Sequence, residues 1–217
     1  MEKNLLKSTF NDKTFLKNLL SLAMPIAFQS LMVSLVGASD TIMLGSLDQY
    51  SMAAVSLATQ LQFIQNLTLS GIIAAFHVLG AQYSGKEDRK SVNMVLCMTL
   101  RICLVVSALT FLVCFSFPHM AMRIFTNVEE LVEIGVGYLK IASFSYLISG
   151  ISQCFLAQIK LGKNTKKVAT ISSIAVVLNI ALNAIFIFGF LGFPKMGVKG
   201  AALATVISRV VELVLST

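Results

Sequence analysis

Apolar residues run along the chain in long stretches, broken at intervals by short clusters of charged, Gly and Pro positions, and this alternation sets the fold class. A helix needs about 20 mostly apolar residues to cross a bilayer. Six stretches reach that scale, at about 15 to 44, 51 to 80, 92 to 116, 135 to 159, 168 to 190 and 198 to 217. The pattern predicts an all-α membrane protein with six transmembrane helices, because hydrocarbon offers no partner to an unpaired backbone group and a helix satisfies its own. The first two stretches exceed one crossing, so tilt, protrusion into water or a kink at Pro25 is expected. Residues 1 to 14 read as a cytoplasmic lead-in and 15 to 217 as the membrane unit. The basic start precedes an apolar run too long for a cleaved signal, so that run is read as a retained first helix.

The connections carry an orientation. Lys3, Lys7, Lys13 and Lys17 precede the first helix, Lys86, Arg89 and Lys90 follow the second, and Lys160, Lys163, Lys166 and Lys167 follow the fourth. The alternate connections hold Asp48, then Arg123 with Glu129, Glu130 and Glu133, then Lys195 and Lys199. Because cations accumulate on the cytoplasmic side, the N-terminus is expected there, in a multi-pass protein of the cell membrane. The sequence is still apolar at Thr217, so truncation at the end of the sixth helix is expected.

Composition narrows the function. Hydrophobic residues make up 56% of the chain and charged ones 12%, against about a quarter charged in soluble domains. The net charge of +7 lies in loop clusters rather than a stripe, which argues against a nucleic-acid partner. Cys97, Cys103, Cys114 and Cys154 sit in apolar runs without CxxC spacing and read as reduced. No phosphate loop, HExxH or nucleophile elbow appears, so neither an enzyme nor a cofactor is expected.

Polar residues inside the spans are the candidate chemistry, since an ionisable group at a helix centre costs about 2.5 to 3.5 kcal/mol. Asp40 lies roughly 7 Å below the outer end of the first helix. Asn179 and Asn183, spaced i and i+4, share one face of the fifth helix roughly 10 to 16 Å below its outer end, and Thr205 lies roughly 10 Å deep in the sixth. A carboxylate, two amides and a hydroxyl can hold a proton or replace the water around a small hard cation, so sodium at Asp40 is one expectation. Gln29, Met32, Thr59, Gln60 and Tyr146 are candidates for lining a substrate cavity. Arg209 and Glu212, at i and i+3, are placed for a local ion pair. Arg101 and His77 read as snorkelling and interfacial side chains.

Several segments resemble one family. Pro25-Ile-Ala-Phe-Gln-Ser and Val36-Gly-Ala-Ser-Asp40-Thr-Ile-Met-Leu-Gly45 are similar to the first helix of the multidrug and toxic compound extrusion (MATE) transporters. Ala53-Ala-Val-Ser-Leu-Ala-Thr-Gln60, Ala81-Gln-Tyr-Ser-Gly85, Leu178-Asn-Ile-Ala-Leu-Asn183 and Gly197-Val-Lys-Gly-Ala-Ala-Leu-Ala-Thr205 extend the resemblance over nearly the whole chain. It implies one six-helix lobe of a twelve-helix transporter that expels lipophilic or cationic small molecules by antiport with protons or sodium. Asp40 then matches the acidic residue of the N-lobe cation site, with Asn179 and Thr205 as further members. At Asn183 some relatives carry a second Asp, which leaves the choice between proton and sodium open. The partner would be a missing C-lobe or a second copy. The alternatives are a lipid-linked saccharide flippase of similar fold, and an accessory or nonfunctional membrane fragment.

Overall fold

The computed structural model describes residues 13–217. Residues 1–12 of the expected lead-in, with Lys3 and Lys7, lie outside the described residues. Seven α-helices follow in order: α1 Lys13–Gly45, α2 Gln49–Gly85, α3 Arg89–Ser116, α4 Pro118–Arg123, α5 Glu129–Leu161, α6 Thr165–Phe188 and α7 Val198–Ser216, with a 3₁₀ turn at Phe190–Gly192. No strand occurs among the described residues. Within α1, α2, α3, α5 and α6 lie five segments long and apolar enough to cross a membrane. The sixth long helix, α7, carries Lys199, Arg209 and Glu212 and packs in the same bundle.

The ends of these helices follow from local chemistry. Asp48 caps α2 by accepting from the Ser51 amide at 2.6 Å and the Ser51 hydroxyl at 2.7 Å, which satisfies one of the donors a helix start leaves unpaired. Those hydrogen bonds, the side-chain one first, hold the exposed Asp48 carboxyl below its ordinary range. Asp88 caps α3 through Ser91 in the same way, and Asn164 caps α6 through the Lys167 amide. Gly189, in the left-handed region at φ 78°, ends α6 where a side chain would be strained.

Two elements differ from the hydrophobic pattern. The fourth predicted helix begins at Glu129 rather than near 135, because Glu129 and Glu130 in the first turn suit the positive end of a helix while contributing nothing to an apolar run. Short α4, with Pro118 in its first turn, was absent from the expected set.

The long α5 is the hub, packing against α2, α3 and α7, while α6 bridges α7 and α1. Half of the apolar window of α5 is buried, and none of that of α1, so α1 lies on the flank of the bundle. Leu44, Ala58, Met122, Leu139 and Ile187 form the main apolar cluster at one end of the bundle, around Tyr138 and Tyr146. Small residues set helix spacing in membranes, where packing rather than water drives association. At Gly200 a Cβ would sit 2.7 Å from the backbone carbonyl of Phe186, so α6 and α7 meet backbone to backbone.

Candidate functional site

The close approach at Gly200 brings the polar faces of α6 and α7 together one turn further along, at Asn179, Asn183 and Thr205. Asn183, fully buried, donates from Nδ2 to Asp40 Oδ1 at 2.5 Å and to Asn179 Oδ1 at 3.2 Å. Asn179 in turn donates to the Thr205 hydroxyl at 3.5 Å, and Thr205 donates to the Ala201 carbonyl at 3.0 Å. A single relay of side chains thus joins α1, α6 and α7. The Asn183 Oδ1 atom is buried and has no hydrogen-bond partner among the described residues. A buried acceptor left this way costs about 1 to 3 kcal/mol, and a cation or a donor beside Asp40 would remove that cost.

Tyr138 of α5 completes the cluster. It lines the same cavity as Thr205 and Asp40, close enough to feel the charge of Asp40. Tyr146, the tyrosine expected to line the cavity, lies two turns further along the same helix. Tyr146 is a correction: it is fully buried in the core, its carbonyl accepts from Gln65 Nε2 at 2.8 Å, and it lines no described cavity.

Asp40, Asn179, Thr205 and Tyr138 face a cavity of about 410 Å³ lined by α1, α2, α6 and α7 with Tyr138 of α5, whose α2 wall includes Thr59 and Gln60. Gln29 lies instead on a second cavity of about 300 Å³, beside His77 and Lys160, and ties α1 to α6 by donating to the Ser172 hydroxyl at 3.0 Å. Met32 is also a correction, since it is part-exposed and lines neither cavity. The two cavities share Val33, Asn66, Arg209 and Glu212. Arg209 Nη1 meets Glu212 Oε2 at 2.7 Å, the local pair that their spacing allows. Arg101 is exposed on α3 and belongs to neither cavity.

Sequence reasoning also passed over Gln65, which is buried and donates to the Ser107 hydroxyl at 3.1 Å, tying α2 to α3 and α5. It stands in a run with Gln62, Asn66 and Thr68, so nothing in the sequence marked it as the buried amide that demands partners.

The MatE family model matches residues 25–185, well over half of the chain. The probable multidrug resistance protein NorM of Thermotoga maritima is 30% identical over 200 residues, covering 90% of this chain and 42% of that protein. The multidrug resistance protein MdtK of Yersinia enterocolitica is 29% identical over 189 residues, covering 87% of this chain and 41% of that one. A crystal structure of MATE in the straight conformation matches with a TM-score of 0.82 at 22% identity, over 92% of this chain and 44% of that chain, and establishes likeness of fold. The chain therefore spans less than half the length of the curated relatives it matches. It belongs to the multidrug and toxic compound extrusion family of membrane transporters, of which it covers roughly one lobe.

Proposed function

We propose that this chain supplies one lobe of a cation-coupled antiporter that expels lipophilic or cationic small molecules, with Asp40 as the residue that binds the coupling proton or sodium ion. The observation that carries the reading is Asp40 on the wall of a 410 Å³ cavity, bonded behind that wall to Asn183, whose buried oxygen has no partner among the described residues. Hydrocarbon surroundings make an isolated carboxylate costly. Asn179, Asn183, Thr205 and Tyr138 offer the oxygen-rich setting that a small cation or a shared proton prefers. The names of the relatives, multidrug resistance proteins, support drug efflux as the transport reaction.

Coupling then requires two conformations that differ in affinity for the ion, because a ligand equal in both shifts nothing. The second lobe comes from further sequence or from a second copy. The proposed placement is the plasma membrane with a cytoplasmic N-terminus, supported by Lys86, Arg89 and Lys90 on the same side as Lys163, Lys166 and Lys167.

The test is sodium and proton binding to the purified chain in nanodiscs, set beside drug resistance of cells that express it with a second lobe. Asp40→Asn keeps the shape and the Asn183 contact while removing the charge, and it is expected to abolish both cation binding and efflux with insertion unchanged. Unaltered binding and resistance in that variant would falsify the reading.

A further inference from the structure

Four charged side chains of alternating sign run through the two cavities, and the antiport reading assigns a role only to the first. Asp40 on α1 is within electrostatic reach of Arg209 on α7. Arg209 is paired with Glu212, and Glu212 is within reach of Lys160 on α5. The Arg209–Glu212 pair sits where the cavities adjoin, since both residues line both. It is the only ion pair inside the long apolar bundle among the described residues, the other two lying exposed on the α4–α5 side.

The two members of the pair are held differently. The Glu212 side chain is 4% exposed, against 24% for that of Arg209. Glu212 belongs to a buried polar stripe of α7 formed with Thr205, Ser208 and Ser216, so its position is fixed by packing. Among the described residues Arg209 bonds through Nη1 to Glu212, although a guanidinium carries five N–H donors. It stands one turn along α7 from Thr205, which belongs to the Asp40 relay. The carboxylate is the anchor and the guanidinium is the arm.

We infer that Arg209 is a tethered cation shared between Asp40 and Glu212, and that it sets the affinity of Asp40 for its coupling cation by competing for the same carboxylate. The inference rests on the cation-binding role proposed for Asp40. With Asp40 ionised, Arg209 is drawn toward both carboxylates. Once a proton or sodium ion occupies Asp40, the guanidinium is left to Glu212. The titratable and charged groups around this exchange are Lys160 from α5 and His77 from α2, both on the second cavity, and Tyr138 from α5 on the first, while α6 contributes the neutral amides of Asn179 and Asn183.

The signs of the expected effects separate this role from a structural one. An opposite charge within reach changes the free energy of an ionised carboxylate enough to alter cation affinity on the order of tenfold or more. Arg209→Gln removes the competitor and should tighten sodium or proton binding at Asp40 by about that factor. Glu212→Gln removes the anchor, turns Arg209 wholly onto Asp40, and should weaken binding by a similar factor. Sodium binding to the purified chain in nanodiscs, together with proton uptake followed through the carboxyl band in the infrared, reads whichever cation is bound.

Opposite shifts in the two variants support the inference. Weakened or unchanged binding in Arg209→Gln overturns it, as does weakening of both variants alike, the outcome of mere structural damage. Should Arg209→Gln fail to fold, the double variant Arg209→Gln/Glu212→Gln leaves neither partner of the pair as an unmatched buried charge, and it must show the same tightening. Asp40→Asn separates the two levels. If it binds cations as the unsubstituted chain does, the role of Asp40 and this inference fall together; if it loses binding while Arg209→Gln does not tighten it, only the competition by Arg209 falls.

Discussion

Replacing Gly200 by Ala tests whether the spacing of α6 and α7 governs the site. A Cβ at this position would lie 2.7 Å from the Phe186 carbonyl carbon and oxygen, where ordinary contact begins at 3.4 Å. The obstacle is backbone, so no side-chain rotation relieves it and the helices must part by several tenths of an ångström. Overpacking of this kind costs about 1 to 3 kcal/mol. The better helix propensity of Ala returns about 1 kcal/mol, leaving a net loss of about 0 to 2 kcal/mol. The Asn179–Thr205 contact, already 3.5 Å long, would pass beyond hydrogen-bonding range. Gly71→Ala is the matched control, because nothing lies within 4 Å of a Cβ there; it should stabilise the chain by about 0.5 to 1 kcal/mol. Thermal unfolding in detergent and cation binding in nanodiscs are the assays. A Gly200→Ala chain as stable as the Gly71→Ala chain, with unchanged cation binding, refutes the reasoning.

Further outcomes follow from the capping and buried amide networks. Because hydrogen bonds from Ser51 lower the Asp48 pKa from 3.8, the cap strengthens the start of α2 above that value and is lost as the pH falls below it. Asp48→Ala should cost about 0.5 to 1 kcal/mol at neutral pH; Asp48→Asn should keep most of the cap and remove its acid sensitivity, as read by hydrogen exchange at Ser51. Gln65→Ala should destabilise the chain by about 2 to 4 kcal/mol through lost packing and hydrogen bonds. Gln65→Leu should cost less, since it fills the same volume and removes the unpaired Oε1 atom; denaturation of both variants gives the comparison.

The bundle was largely legible because a bilayer forces long apolar runs, and those runs located all six long helices. What escaped was polar or short. The acidic first turn of α5 and the six residues of α4 carry no apolar run to detect. At the site, Asp40, Asn179, Asn183 and Thr205 were placed at a common depth by helix rise alone, and they form a connected relay in space. Tyr138 was not singled out because two tyrosines on α5 satisfy the same composition, and only the packing of α5 decides which of them reaches the cavity. The division into two cavities was not legible at all, since it depends on which helices are neighbours: α7 packs against α5 and α6, and that arrangement turns the Arg209–Glu212 pair into a wall between compartments.

The marginal position of α1 has a mechanical consequence. Gln29 to Ser172 and Asn183 to Asp40 are side-chain hydrogen bonds that tie it to α6, set roughly 16 Å apart along its axis. One of those two rivets is the carboxylate itself, so any occupant of Asp40 that displaces Asn183 removes one of the ties that hold α1 to α6. A helix with little buried surface is the segment whose detachment takes the least work, so chemistry at one oxygen atom bears directly on how firmly an entire strut is held.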